Sequence, residues 1–346
     1  MSELAPSPPP TVAPFALAAC VACVAGAAAL ADCAVLAALL KRSRTGLYSI
    51  IMQLAMTDII LLGTVIGPEL WSLNSRTWQF GNIACTAHQG LSVFTTTLTT
   101  YLVSAMALHT LTTIRLEEKS TDRKIKRSRD DDEEIRSSQH SLVANSDSST
   151  PPRTMNLDYR VADTGIPVTL PTVFVWILAI SLSIPEFALA TTVHAGKNVI
   201  ICTLDSSHQF NMHIMLAAFN LFLPLFIMSS AAVLIIVKLF SKRRPSGVDN
   251  NESVAALKLS LWLISVHVIL CTPRAVLTGY RVYSTSISGY DSAPDLYLQS
   301  NTITVINLAL SSAYLSASLI RPILCIIVIQ PLKVFFSFGA KIPENV

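Results

Sequence analysis

Apolar positions in this chain gather into seven long runs instead of recurring as narrow stripes between polar faces. The runs cover about Pro14 to Leu40, Leu47 to Leu73, Asn82 to Ile114, Val168 to Ala190, Asn211 to Phe240, Val254 to Tyr280 and Leu296 to Gln330. Each reaches the roughly 20 residues that a helix needs to cross about 30 Å of hydrocarbon. Tilting or emergence into the headgroups absorbs the excess in the longer runs. The first run reads as a retained helix and not as a cleaved signal. It follows an acidic, proline-rich tip (Glu3, Pro6, Pro8, Pro9, Pro10) without lysine or arginine, and it exceeds a typical cleavable segment in length. The pattern predicts an all-α membrane protein, with residues 1–346 forming one seven-helix transmembrane bundle.

Composition agrees. Of 346 residues, 51% are apolar and 14% charged, and mean hydropathy is +0.53, whereas a water-facing domain devotes about a quarter of its residues to charge. The deficit excludes an ordinary cytosolic enzyme, a disordered chain and a nucleic-acid binder. Lysine and arginine also divide unevenly. With the N-terminus outside, 20 of 25 fall on the inner side: Lys41, Arg42 and Arg44, ten between Arg115 and Arg160, Lys238, Lys242, Arg243, Arg244, Lys258, Lys333 and Lys341. Cytoplasmic loops keep positive charge, so the expected topology has the N-terminus outside and the C-terminus cytoplasmic.

The inner stretch 117–162 breaks the composition, with a mixed-charge block followed by serines and Pro151-Pro152. Few apolar residues and dense charge predict a disordered cytoplasmic loop inserted between helices 3 and 4. It reads either as a tolerated insertion or as a phosphorylatable, partner-binding arm. The sequon at Asn251 would face the cytoplasm and stay unmodified on this topology. There is no obvious internal repeat, which weighs against transporters built from duplicated halves.

Five of the seven cysteines (Cys20, Cys23, Cys33, Cys271, Cys325) lie within the runs and are expected to act as small buried side chains. Cys85 and Cys202 fall on the outer, oxidising side and are candidates for a bridge across the mouth of the bundle.

These residues resemble the class A (rhodopsin-like) G-protein-coupled receptors over nearly the whole chain. Leu54-Ala55-Met56-Thr57-Asp58 is similar to the family's second-helix LAxxD, and Trp78-Gln79-Phe80-Gly81 to its first outer-loop WxFG. Trp176 and Pro224 resemble its fourth-helix tryptophan and fifth-helix proline. Cys271-Thr272-Pro273 resembles a degraded CWxP, and Arg321-Pro322-Ile323-Leu324-Cys325 a degraded NPxxY. The resemblance implies a Cys85–Cys202 disulfide and a cell-surface receptor in the plasma membrane that acts by population shift, without catalytic residues, cofactor or metal.

Departures from the family pattern carry information of their own. His109-Thr110-Leu111 stands in place of DRY, Cys325 in place of the NPxxY tyrosine, Ala232 in place of the fifth-helix tyrosine and Cys271 in place of the CWxP tryptophan. The inner contacts that hold family members active cannot form from these side chains, so weak or atypical G-protein coupling is expected, with arrestin as a further partner. Ser92 stands where receptors for amines carry aspartate, which disfavours an amine ligand. About a dozen residues precede the first run, too few for a capture domain. A peptide-like ligand is therefore expected among Glu69, Trp71, His88, Gln89, Ser92, Glu186, Arg274, Tyr280 and Arg281, with Asp291 and Asp295 beyond.

Three ionisable residues fall at one depth inside the runs. At 1.5 Å per residue, Asp32 lies about 13 Å from Lys41, Asp58 about 17 Å from Leu47 and Arg321 about 13 Å from Gln330. An isolated charge there costs several kcal/mol, so Arg321 is expected to bridge both carboxylates bidentately. The alternative to a receptor is a seven-helix channel or transporter, which calls for a polar stripe along several helices instead of one buried layer.

Overall fold

A computed structural model describes residues 12–40, 46–139, 168–194, 199–204, 209–240, 250–288 and 301–329. Seven helices are long and apolar enough to span a bilayer: α1 (Pro14–Leu40), α2 (Gly46–Ser75), α3 (Gly81–Gln139), α4 (Thr169–Leu189), α5 (residues 209–240), α6 (residues 250–288) and α7 (Asn301–Val328). The spans match the seven apolar runs. Large side chains such as Phe15, Phe174, Phe226 and Phe240 stand exposed on the bundle's outside, where lipid is the solvent.

Three of the helices contain one turn of π-helix: Leu62–Ile66 in α2, Ala218–Phe222 in α5 and His267–Cys271 in α6. In α5 the Leu223 N–H reaches back to Ala218 O, and in α6 the Thr272 N–H reaches His267 O, the five-residue spacing of that helix type. The Tyr101 hydroxyl of α3 donates to Phe219 O at 2.7 Å inside the α5 turn. A buried phenol thereby finds its acceptor.

The interior divides into two apolar clusters. One gathers Val35, Ile51, Leu54, Leu102, Met106, Met228, Leu259 and Cys325; the other gathers Leu61, Ile66, Leu70, Cys271, Tyr314 and Ala317. In α2 and α7 the residues between them in the chain are Asp58 and Arg321. Cross-helix hydrogen bonds reinforce the packing: Trp176 Nε1 donates to Gln53 Oε1 at 2.8 Å, tying α4 to α2, and Thr97 Oγ1 donates to Asn220 Oδ1 at 3.0 Å, tying α3 to α5. Gly90 of α3 lies against the Phe187 ring of α4 so closely that a Cβ would collide with it.

The segment after α4 is not plain loop. Strands β1 (Ala190–His194) and β2 (Ile200–Leu204) pair antiparallel. Their β-branched residues, Thr191, Thr192, Val193, Ile200, Ile201 and Thr203, were the available signal for this hairpin.

The inner boundary of α3 departs from expectation. The helix runs on through residues 117–139 instead of giving way to a disordered loop at 117. No glycine or proline interrupts this stretch, and it is rich in Lys, Arg and Glu, so a helix already nucleated in the bundle extends readily. The rest of the expected loop, 140–162, lies outside the described residues. So do Lys41, Arg42, Arg44, Lys197, Lys242, Arg243, Arg244, Asp291, Asp295, Lys333 and Lys341.

Candidate functional site

The end of the bundle that carries the hairpin is closed by a set of anchors. Cys85, at the start of α3, forms a disulfide with Cys202 on β2, 117 positions further along the sequence. Around it, Gln89 Nε2 donates to Cys202 O at 3.3 Å, Thr86 Oγ1 to Ala190 O at 3.2 Å and the Thr192 N–H to Asn82 Oδ1 at 3.0 Å. The Trp78 N–H donates to Ile200 O at 2.7 Å, and its indole Nε1 donates to Gly81 O at 2.8 Å. Gly81 has φ +80°, a conformation that favours glycine. The hairpin is thus fixed across one edge of the mouth from both strands.

Beneath it, Glu69 of α2 and Arg274 of α6 form a bidentate ion pair. Arg274 Nε donates to Glu69 Oε1 at 2.9 Å and Nη2 to Oε2 at 2.6 Å. Ser311 of α7 donates to Glu69 Oε1 at 2.7 Å. The guanidinium sits over the Tyr314 ring, 4.8 Å from its centroid, and the Tyr314 hydroxyl lies 3.4 Å from Thr96 Oγ1 of α3. Four helices therefore meet at one clasp. Both charged residues lie about 9 Å from the ends of their spans, at Ser75 and Tyr280, six residues away. Their side chains keep 12% and 21% exposure.

The other residues expected at the mouth do not join this clasp. His88 is half-buried against Trp78, with ring centroids 5.2 Å apart, and its Nδ1 has no hydrogen-bond partner among the described residues. Gln89 is occupied by the hairpin. Ser92 is half-buried, its carbonyl accepting from Thr95 Oγ1. Tyr280 is 65% exposed at the end of its span. Glu186 is only 2% exposed, and its Oε2 has no hydrogen-bond partner among the described residues. Trp71 is half-buried and donates to Gln79 Oε1 at 3.3 Å. The side chain of Arg281 lies outside the described residues. Ser311, Tyr314 and Thr96 escaped the sequence reading, because a serine, a tyrosine and a threonine inside apolar runs carry no signal of their facing.

In mid-bundle, Asp32, Asp58 and Arg321 come together, each at most 2% exposed. Arg321 Nη1 lies 3.1 Å from Asp58 Oδ1. Asp32 is a correction to the expected double bridge: it shares a small cavity with Asp58 and Arg321 but forms no ion pair among the described residues. The guanidinium is directed instead to Asp58 and to its own helix, where Nε donates to Ala317 O at 3.2 Å and Nη2 to Ser318 Oγ at 3.4 Å. Pro322 and Cys325 line the same cavity.

Toward the opposite end, Thr110 of α3 lies 3.1 Å from Ser260 of α6, hydroxyl to hydroxyl, and also donates to Met106 O at 2.8 Å. Higher on the same seam, Thr100 Oγ1 lies 3.3 Å from His267 Nε2 at the start of the α6 π turn. His109 borders Gly46 of α2, while Leu111 is buried. Cys271 is buried in the second of the two apolar clusters, and Pro273 follows it in the first turn after the π segment; Cys325 is buried too, whereas Cys20, Cys23 and Cys33, expected to be buried, are exposed on α1.

Residues 154–323 match the family described as 7 transmembrane receptor (rhodopsin family). The match takes in α4 to α6 and most of α7. No curated protein shows a significant match to the chain. The matched region carries Trp176, Cys202, Pro224, Pro273 and Pro322 in order, and the unmatched N-terminal half supplies the other three spans and the disulfide partner Cys85. Residues 154–323 thus carry the pattern of the rhodopsin-family seven-transmembrane receptors, and with seven candidate spans the chain is a multi-pass protein of the plasma membrane.

Proposed function

We propose that this receptor, with its N-terminus outside and its C-terminus in the cytoplasm, responds to an extracellular peptide-like ligand and couples to G proteins weakly. Arrestin recruitment or another partner interaction is its more evident output. The observation that carries the reading of the output is Thr110. At the place where the family has arginine, a threonine is buried against Ser260 and Met106 O. Its side chain is too short to cross the inner cavity, and Ala232 and Cys325 supply no phenol to hold an arginine there. A transducer bound to an open state must draw its affinity from other groups, such as the inner basic residues Lys238 and Lys258.

Support for a peptide comes from the outer end. Its polar groups, Glu69, His88, Gln89, Glu186 and Arg274, are spread over α2, α3, α4 and α6 instead of converging on one small pocket, and Ser92 offers no carboxylate for an amine. Support for the topology comes from the lysine and arginine distribution and from a disulfide at the hairpin end, which requires an oxidising side.

Two experiments test the reading. A peptide-library screen with conformational and arrestin readouts is expected to find an agonist acting from outside. Purified receptor in nanodiscs, presented with each G-protein class and that agonist, is expected to show little ligand-dependent nucleotide exchange. Robust exchange would refute the coupling half of the proposal, and a library without any binder would refute the ligand half.

A further inference from the structure

We infer that the Glu69–Arg274 clasp is an exchange site for a ligand that carries a positive and a negative group side by side, such as a free α-amino acid or a peptide terminus next to an oppositely charged side chain. The inference rests on the receptor reading above and names the chemistry of its ligand.

The clasp stands where a ligand entering from the hairpin end meets charge, about a turn and a half below the mouth. Both side chains keep partial exposure, 12% for Glu69 and 21% for Arg274, so the pair can be reached without unfolding a helix. It is also complete in itself. Both guanidinium nitrogens that face Glu69 are used, at 2.9 and 2.6 Å, and Glu69 Oε1 takes a third hydrogen bond from Ser311 at 2.7 Å. A ligand bearing only a carboxylate could take Arg274, but it would strand Glu69 in a mostly buried position. One bearing only an ammonium would strand Arg274. Leaving one partner of a desolvated pair uncompensated is what makes breaking such pairs costly.

A ligand with both charges avoids that penalty. Its carboxylate replaces Glu69 on the fork of Arg274, which suits bidentate recognition. Its ammonium replaces Arg274 on the Glu69 carboxylate, so ion pairs are exchanged and none is lost. Two neighbours remain in place during the exchange. The Tyr314 ring under the guanidinium, at 4.8 Å, keeps its cation–π contact, and the Ser311 hydroxyl stays on Glu69. The exchange also separates α2 from α6 at this level, because the ligand's own backbone stands between the two side chains. Binding would thereby move the outer half of α6.

The test uses the full chain in nanodiscs and reads the thermal unfolding midpoint against probe concentration. The probes are glycine, acetate, methylammonium, the peptide Asp-Ala-Ala amide with a free N-terminus, and its N-acetylated form. Glycine and the free peptide are expected to raise the midpoint with half-saturation at least tenfold below that of any singly charged probe. A lower half-saturation for the peptide than for glycine assigns the site to a peptide terminus, and the reverse assigns it to a free amino acid. The double variant Glu69→Gln/Arg274→Gln should lose the response at least tenfold. The swap Glu69→Arg/Arg274→Glu, which keeps a pair in place, should retain it even if the neutral variant folds poorly.

Equal responses to acetate or methylammonium, or none to either zwitterion at their highest soluble concentrations, would overturn the inference. So would a library-derived peptide agonist whose binding is unchanged in the double variant, and in that case the receptor reading would still stand.

Discussion

Replacing Arg321 by methionine keeps most of its length and removes its charge, leaving Asp58 without its ion-pair partner and Asp32 buried beside it. At the observed 3.1 Å, Coulomb's law with an effective dielectric of 20 makes the Arg321–Asp58 attraction about 5 kcal/mol. Removing one partner of a buried pair typically destabilises by about 3–5 kcal/mol. The membrane-embedded unfolded chain also finds polar partners, which draws the expectation toward the lower end of that range. A neutral second substitution should restore different amounts at the two carboxylates, because only Asp58 forms an ion pair. Denaturant titration of the purified receptor, run as two double-mutant cycles, measures this. The coupling of Arg321→Met with Asp58→Asn should exceed about 2 kcal/mol, and that with Asp32→Asn should stay below about 1 kcal/mol. Equal couplings, or additive losses in both cycles, would refute the reasoning.

Gly90→Ala should destabilise by about 1–3 kcal/mol through collision with Phe187, and Phe187→Ala should recover much of the loss in the same titration. Replacing Cys85 or Cys202 by serine opens a loop of 117 residues, worth about 5 kcal/mol in the chain-entropy model before membrane constraint reduces it; surface labelling should show reduced delivery, and equal labelling would count against a structural role. Thr110→Val removes one hydroxyl of the α3–α6 contact and strands Ser260; spectroscopic probes on α6 should report a larger open population, by about 1 kcal/mol, and Ser260→Ala added to it should bring little further change.

How far the sequence reveals this molecule depends on which physical constraint is at work. Spans are legible because hydrocarbon admits no unpaired backbone, so every crossing must be a long apolar helix. Depth is legible by simple rise per residue, which brought Asp32, Asp58 and Arg321 to one level. Direction is not. Whether Arg321 turns to Asp32 or to Asp58 depends on Ala317 O and Ser318 Oγ one turn away, and composition says nothing about that. Glu69 and Arg274 were each recognisable as polar residues near a mouth, yet their pairing spans 205 residues. It rests on helix packing that single-chain periodicity cannot supply. The continuation of α3 through 117–139 shows the opposite failure. Mixed charge pointed to disorder, while local helix propensity and an existing nucleus favoured one more run of turns.

The π turns in α2 and α6 set the phase of everything beyond them. Glu69 follows the turn at Leu62–Ile66 and Arg274 follows the turn at His267–Cys271, so both halves of the outer clasp are indexed through a wide turn. Each wide turn takes up one extra residue, so converting either window to α-helix at unchanged length would rotate the segment beyond by about 100° and advance it by about 1.5 Å. The inner half, with Asp58 before one window and Ser260 before the other, would keep its register. A substitution that removes the wide turn in either five-residue window can thus re-aim the face that carries the clasp while leaving the other half of the bundle untouched. Specificity and transmission in this chain are mechanically separable at those two turns.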